Sequence, residues 1–418
     1  MLRRMPNDRT FVRAGRLVDV LDGKVLERQV IEIEDDRIAS IGVDDGSSPE
    51  GARVIDLSDS TVLPGFIDCH AHLIGELESG HGYANLVGRS AAQEAYTGVA
   101  NARDTIHAGF TSVRDVGTFR AFVDCALRDA IDAGMVLGPR MRCAGPFVTS
   151  PAGGGDVVGG LAPDVAEAVP RDLRFGVASS PDEVHRVVRE ILHGGADFIK
   201  VIATGAVLTE GTAIGAPEFT EDAMRAAVEE TDLHGTHVAA HAHGAEGMKR
   251  AIRAGVRSIE HGSLMDDEAI SMMADAGTYL VADIMCGDWI AEKGLADGWS
   301  AEVLRKNEET TLAQREGFAK CVRAGVRLAY GTDSGIYPHG MNARQLDYHV
   351  QWGQQPVDAI RCATLHAAEL LRWADRIGRV EAGYAADLIA VEGNPLDDVR
   401  RLEDVRFVMS RGMVLRTA

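Results

Sequence analysis

Residues 62–74 read VLPGFIDCHAHLI, an apolar run that ends in two histidines one residue apart, His70 and His72. Successive side chains of a β-strand point to opposite faces, so a strand here sends both imidazoles out of one face, about 7 Å apart along the chain. Two neutral imidazoles on one face can close on a cation. A short H-x-H pair also occurs as incidental surface or core histidine, so the remainder of the chain has to supply whatever completes a site.

Working outward, short apolar runs closed by a turn or polar cluster recur at GFIDCHAHL (65–73), TSVRDVG (111–117), RMRCAG (140–145) and ADFIKVIATG (196–205). They continue at HVAAHAHG (237–244), RSIEHG (257–262), TYLVADI (278–284) and RLAYGTDSG (327–335). Helical patterns fill the intervals, among them SAAQEAYTGVANARDTIHAG, SPDEVHRVVREILHGG and TEDAMRAAVEETDLHG, several ending in the glycine expected just past a helix terminus. Eight β-then-α units predict an α/β fold of the (β/α)₈ TIM-barrel type, whose active site lies at the carboxyl ends of the strands. A doubly wound sheet is the alternative that periodicity leaves open.

Residues 10–60 read differently, as β-strands separated by DG, DDG and SSPEG turns, and the same character returns in ADLIAVEG and VRFVMSRGMVLR near the end. A small β-sandwich built from both termini accounts for the match. The expected division is 1–63 and 376–418 for the two sandwich pieces, with the barrel over 64–375. Residues 146–176 are rich in glycine and poor in helix pattern, which makes them a candidate lid over the barrel mouth.

Composition narrows the function classes. The formal charge of −20, from 43 basic and 63 acidic residues, repels phosphate backbones and speaks against a nucleic-acid partner. No apolar run is long enough to span a bilayer, and the start MLRRMPNDRTF lacks the apolar core of a secretory signal, so no membrane partner and a cytoplasmic location are expected. The six cysteines form no C-x-x-C pair and read as buried free thiols.

The polar residues at strand ends then converge on one chemistry. They are His70 and His72 on the first strand, Lys200 within FIKVIA, His241 and His243 on the fifth, His261 on the sixth and Asp333 on the eighth. Singly, Lys200 could snorkel to solvent, His261 could be a satisfied core histidine and Asp333 could make an Asx-turn. Jointly, five strand ends place metal-ligand types at one height. A neutral lysine amine can also add carbon dioxide to give a carbamate, a carboxylate in geometry that can bridge two cations.

The motifs PGFIDCHAHL, TSVRDVG, FIKVIATGAV, HVAAHAHG, GVRSIEHG and YGTDSGIYPHG, over residues 64–340, resemble the amidohydrolase superfamily. The branch they resemble contains imidazolonepropionase and the binuclear zinc dipeptidases and prolidases. The resemblance implies two divalent cations, taken as Zn²⁺. One would sit on His70, His72 and Asp333 and the other on His241 and His261, with Lys200 as N6-carboxylysine bridging both. It implies Asp333 as the proton shuttle, His243 and His339 as substrate contacts, and a homo-oligomer acting on a small-molecule substrate. Spacing alone does not separate His241 from His243, which share a strand face.

The expected reaction is hydrolysis of a dipeptide or N-acyl amino acid with release of the carboxyl-terminal amino acid. The GIYPHG loop resembles enzymes that favour basic residues, and Asp156, Glu210, Glu218 and Asp288 lie in candidate mouth loops that could meet a cation. The alternatives are bulky N-acyl amino acids such as ochratoxin, with phenylalanine leaving, then aminoacyl-proline, then a cyclic amide of the imidazolonepropionase kind. Related enzymes often carry a histidine where this chain has Ala152, Gly153, Gly154 and Gly155; a roomier glycine loop there would suit the bulky substrates.

Overall fold

Alternation of buried and exposed side chains over β1 (Arg9–Asp19) and β2 (Lys24–Glu34) folds the first described residues into an antiparallel hairpin. The Asp19 carboxylate accepts the Leu21 and Asp22 amides to shape its turn. β3 (Arg37–Val43) extends the hairpin and β4 (Arg53–Pro64) runs parallel to β1 on its other side. The computed structural model describes residues 9–47, 51–75, 84–158 and 161–417. The basic start, most of the SSPEG turn and residues 159–160 of the glycine-rich segment lie outside the described residues.

From β4 the chain enters two parallel sheets. β5 (Phe66–Ala71), β6 (Phe110–Asp115) and β7 (Arg140–Cys143) form one. β8 (Ile199–Ile202), β9 (Val238–Gly244), β10 (Ser258–Leu264) and β11 (Tyr279–Val281) form the other, in the order β11-β10-β9-β8. All residues of β5, β6, β8 and β9 are buried, the signature of parallel strands covered on both faces. Helices alternate with the strands. Ala91–His107 and Pro181–His193 each begin at a capping box, Ser90 with Gln93 and Ser180 with Glu183.

Two further segments form hydrogen bonds beside these sheets. Beyond β7, Val148 donates to the Lys200 carbonyl at 2.8 Å and its own carbonyl accepts from Ile202 at 2.9 Å. On the opposite side, residues 327–334 lie between β11 and β5. Leu280 donates to Arg327, Cys69 to Tyr330 and His72 to Ser334, each at 2.8 Å. This is the segment expected as the eighth strand, and it forms isolated bridges in place of a regular strand. Its ladder is interrupted where Asp333 turns left-handed at φ 58°. At Gly331 the backbone comes so near β5 and β11 that a Cβ would stand 2.3 Å from Val281 and 2.6 Å from His70.

After this core, β12 (Leu388–Glu392), β13 (Val405–Ser410) and β14 (Met413–Arg416) return to the first strands. The strands from both ends meet in one mixed seven-stranded sheet of order β14-β13-β12-β4-β1-β2-β3, where a small sandwich was expected. It curls back on itself, since Ile38 donates to Tyr384 at 2.9 Å and Ala386 to Asp36 at 2.8 Å. Its own core includes Val12, Ile31, Leu388 and Phe407. On the opposite face of β12, Ile389 belongs to the main core.

One core histidine makes the fold acid-labile. His349 is buried with its ring 4.8 Å from Phe318 and 5.2 Å from Tyr330, and Nδ1 pairs with Gln354 Oε1 at 2.9 Å. Burial pulls its pKa down to about 4, so between the unfolded value near 6.5 and about 4 the unfolded chain binds a proton that the native chain does not. Stability therefore falls as pH drops through that window. His349→Leu removes this share, worth about 2 kcal/mol at pH 5, so its urea midpoint falls less between pH 7 and pH 5 than that of the parent chain. Equal losses in both proteins would contradict the assignment.

Candidate metal centre

Six of the residues singled out by sequence converge on one cavity of about 940 Å³: His70, His72, Lys200, His241, His261 and Asp333 all line it, and so does His243. His70 and His72 leave the same face at the end of β5, their ring centroids 5.5 Å apart. Asp333 Oδ1 lies 3.4 Å from His70 Nε2 and 3.3 Å from His72 Nε2. His241 on β9 and His261 on β10 approach with ring centroids 4.5 Å apart, and His261 stands 4.7 Å from His70. Donor atoms of His70, His261 and Asp333 lie within 4.8 Å of one another, as do those of His241, His243 and His261.

The far side of four of the inward rings is fixed. His70 Nδ1 meets Glu260 Oε2 at 2.9 Å, His72 Nδ1 donates to the Gly117 carbonyl at 2.8 Å, and His261 Nδ1 meets Asp283 Oδ1 at 2.9 Å. His243 Nδ1 pairs with Ser263 Oγ at 2.8 Å. Occupying one ring nitrogen turns the other toward the cavity, which is how proteins orient imidazole ligands. Glu260 is itself clamped by Arg114, at 2.7 Å, with both side chains fully buried. Asp283 also accepts from Gln314 Nε2 at 2.8 Å.

The residues present fit a cation. His70 Nε2 and His241 Nε2 are buried with no hydrogen-bond partner, an arrangement that costs free energy unless something accepts their lone pairs. Burial, followed by the neighbouring imidazoles, holds His241 well below its ordinary pKa, so it stays a neutral donor. Burial also brings Lys200 down to about 8, against the pull of Glu260 and Asp333, which gives the amine a larger neutral fraction near neutrality than an ordinary lysine has. Burial alone would raise Asp333, but His70, His72 and His261 hold its carboxyl well below the usual range.

Three expectations about substrate contacts come out differently. His339 is outside the cavity lining: its Nε2 donates to the His72 carbonyl at 3.1 Å and its Nδ1 meets Thr105 Oγ1 at 3.0 Å, so both nitrogens are used to hold β5 in place. The acidic mouth residues are likewise absent from the lining. Asp156 is buried against Arg174 at 2.8 Å, Glu218 accepts the Gly154 amide at 2.9 Å, and Asp288 pairs with Arg315 and Tyr348 at 2.8 Å each. Glu210 is exposed. Finally, the glycine loop is packed rather than roomy. A Cβ on Gly154 or Gly155 would come 3.0 and 2.8 Å from Ile202. The surrounding segment carries a short helix, Pro163–Ala168.

Sequence reading missed Glu260, Asp283 and Arg114. Alternation along β10 assigns Glu260 and His261 to opposite faces. His261 takes a positive φ of 69° and the ladder shifts register after it, so both side chains serve the centre.

A model of the amidohydrolase family matches residues 61–417. A solved structure of a Xaa-Pro dipeptidase with bound methionine is 38% identical with a TM-score of 0.91, covering 98% of this chain and 100% of that one. Ochratoxinase of Aspergillus niger is 29% identical over 416 residues, 96% of this chain and 84% of the relative. Imidazolonepropionase of Acidiphilium cryptum is 27% identical over 395 residues, 90% of each chain.

Because Asp283 holds His261 Nδ1, Asp283→Asn should leave the fold intact and weaken metal retention about 10- to 100-fold, read by competition with a chromogenic chelator. Unchanged retention would remove Asp283 from the support of the centre.

Proposed function

The chain belongs to the amidohydrolase family, and from that premise we propose that it hydrolyses the amide bond of N-acyl amino acids or dipeptides, releasing the carboxyl-terminal amino acid. The observation that carries this is the meeting of His70, His72 and Asp333 with His241, His261 and Lys200 at the base of one cavity with an apolar wall. The hydrogen bonds of Val148, beyond β7, to β8, and of residues 327–334 to β11 and β5, support reading the eight β-segments as one (β/α)₈ barrel over 64–375.

His70, His72 and Asp333 would hold one divalent cation and His241 and His261 the other, with Lys200 between them as N6-carboxylysine. Imidazole and carboxylate donors of this kind suit Zn²⁺. When bound, the cations supply Lewis acidity toward the amide carbonyl and lower the pKa of water at the site. Lys200 reaches its bridging form when its neutral amine adds carbon dioxide and loses a proton. Asp333, held ionised by the imidazoles around it, accepts the proton of the attacking water and delivers it to the departing amine nitrogen. His243, kept neutral with a pKa of about 3 by burial and by His261, keeps Nε2 on the cavity side to contact the substrate while Ser263 fixes Nδ1.

The wall decides the substrate class. Phe119, Phe147, Ile202, Leu208, Ile290 and Ile336 line the cavity. The polar lining residues of the helix Ala301–Ala324 are already engaged: Asn307 donates to the Gly287 carbonyl, Thr310 to Lys306, and Gln314 to His261 and Asp283. Among the described lining residues no carboxylate outside the centre faces the cavity, so an apolar side chain or acyl group fits better than a basic one. Ochratoxinase, among the relatives, supports including bulky N-acyl amino acids in the substrate class.

Two measurements test the reading. Asp333→Asn should lower kcat by at least about 10²-fold while the protein remains folded; full activity would sink the proton-shuttle role. In a panel of N-acyl and aminoacyl amino acids varied at the carboxyl-terminal residue, Phe, Leu and Met should exceed Arg and Lys in kcat/KM by about tenfold or more. The reverse order would overturn the apolar assignment while leaving the amidohydrolase reading in place.

A further inference from the structure

A buried cation that the hydrolytic centre does not use lies beside the cavity. Lys306 is 1% exposed and belongs to the buried stripe of the helix Ala301–Ala324, next to Asn307, Thr310 and Gln314, which line the cavity. Its ammonium donates to the Thr209 carbonyl at 2.8 Å and pairs with Glu302 Oε1 at 2.7 Å. The same Glu302 oxygen accepts the Gly211 amide at 3.1 Å. The Thr209 hydroxyl in turn donates to the Gly154 carbonyl at 2.7 Å. One ion pair thereby connects the helix, the loop after β8 and the glycine loop, and each of these segments contributes to the cavity lining.

The build of the loop after β8 gives this connection its consequence. The neck of the loop is fixed: Thr204 bridges to Pro217, Gly205 donates to Ala216 at 3.0 Å and Glu218 to Ala203 at 2.9 Å. The end of β9 closes on it too, since a Cβ at Gly244 would stand 2.1 Å from the Gly215 carbonyl oxygen. Beyond the neck, residues 206–208 line the cavity while Glu210 and Gly211 are exposed. Leu208 leaves this tip to pack against the cluster of Met285, Ile290 and Ile336, the last two of which are wall residues. The place of Leu208 in the wall therefore depends on where the tip is held.

Packing does not call for a charge at position 306. A methionine would fill much the same space without the desolvation cost of an ammonium, and exchanging a buried ion pair for apolar side chains is often neutral for stability. What an ammonium adds is several donors on one atom, able to reach acceptors from two segments at once. Among the described residues Lys306 Nζ makes no hydrogen bond to a residue of the metal centre, so its influence on the reaction runs through the wall.

We propose that Lys306 is a positioning residue for substrate selectivity: with Glu302 it latches the 206–213 tip to the helix and the glycine loop, and so holds Leu208 in the wall that receives the substrate's apolar group. This deepens the amide-hydrolysis reading and rests on it for the substrate. With the latch broken, the tip has to be ordered at each binding event, a cost that falls on affinity for large apolar groups and not on the chemical step.

The test compares the metal-replete parent chain with Lys306→Met and Glu302→Ala on two substrates, N-naphthoyl phenylalanine, large on both sides of the amide, and N-acetyl glycine, small on both. For the large substrate KM should rise about tenfold in each variant with kcat changed less than about twofold, so that selectivity over the small substrate falls about tenfold. Amide hydrogen exchange over 209–212 should be about tenfold faster in both variants than in the parent. Unchanged KM for the large substrate, an equal fall in kcat/KM for both substrates, or unchanged exchange would each overturn the proposal. If Lys306→Met does not fold, Glu302→Ala decides alone, its side chain being 35% exposed in the parent. If the parent hydrolyses neither substrate, the amide-hydrolysis reading fails, and hydrogen exchange still decides whether the pair holds the tip.

Discussion

The buried charge pair of Arg114 with Glu260 is the interaction on which the rest of the centre depends. Glu260 accepts from Arg114 on one oxygen and faces His70 Nδ1 with the other, all at or near zero exposure. Arg114 also donates to the Cys69 carbonyl at 2.6 Å and to Ser258 Oγ at 3.0 Å, so one guanidinium binds β5, β6 and β10 together at the level of the first histidine. Removing either charge would leave the other buried and unpaired, at a cost of about 3–5 kcal/mol. The pair also aims His70 Nε2 at the cavity. Packing and ligand orientation are here the same contact.

Around that contact the backbone accepts conformations that non-glycine residues rarely adopt. His261 and Asp333 both have positive φ, at 69° and 58°, and both belong to the ligand set. Strain of this kind persists where surrounding structure over-determines it. At Asp333 the amide donates to the His70 carbonyl at 2.7 Å, and at His261 the ring is held by Asp283. The turn at Asp333 interrupts the ladder of residues 327–334, which form isolated bridges in place of a regular strand. The irregularity of the fold at this end is thus a consequence of the centre it carries.

How far the sequence could be read follows from which relations are local. Strand alternation is local, so the H-x-H pairs 70/72 and 241/243, the lysine within FIKVIA and the GTD turn could be collected at one set of strand ends, and the structure brings them into one cavity. The supporting partners are not local. Glu260 and His70 are separated by 190 positions, and their pairing depends on which strands adjoin. The positive φ of His261 also defeats the alternation rule at the place where it would have been applied. The acidic residues near the mouth misled for a related reason: composition puts carboxylates in the loops, whereas only the folded chain shows Asp156, Glu218 and Asp288 consumed by their own partners. The glycine loop misled in the opposite sense, its missing side chains being filled by Ile202.

The two cations proposed for this centre would share it through Lys200. Diffraction from metal-replete crystals at the zinc absorption edge tests it most directly. Two anomalous peaks are expected, one on His70, His72 and Asp333 and one on His241 and His261, with density continuous from Lys200 Nζ to a group that reaches both. A single peak, or two peaks with Lys200 unmodified and turned away, would contradict it.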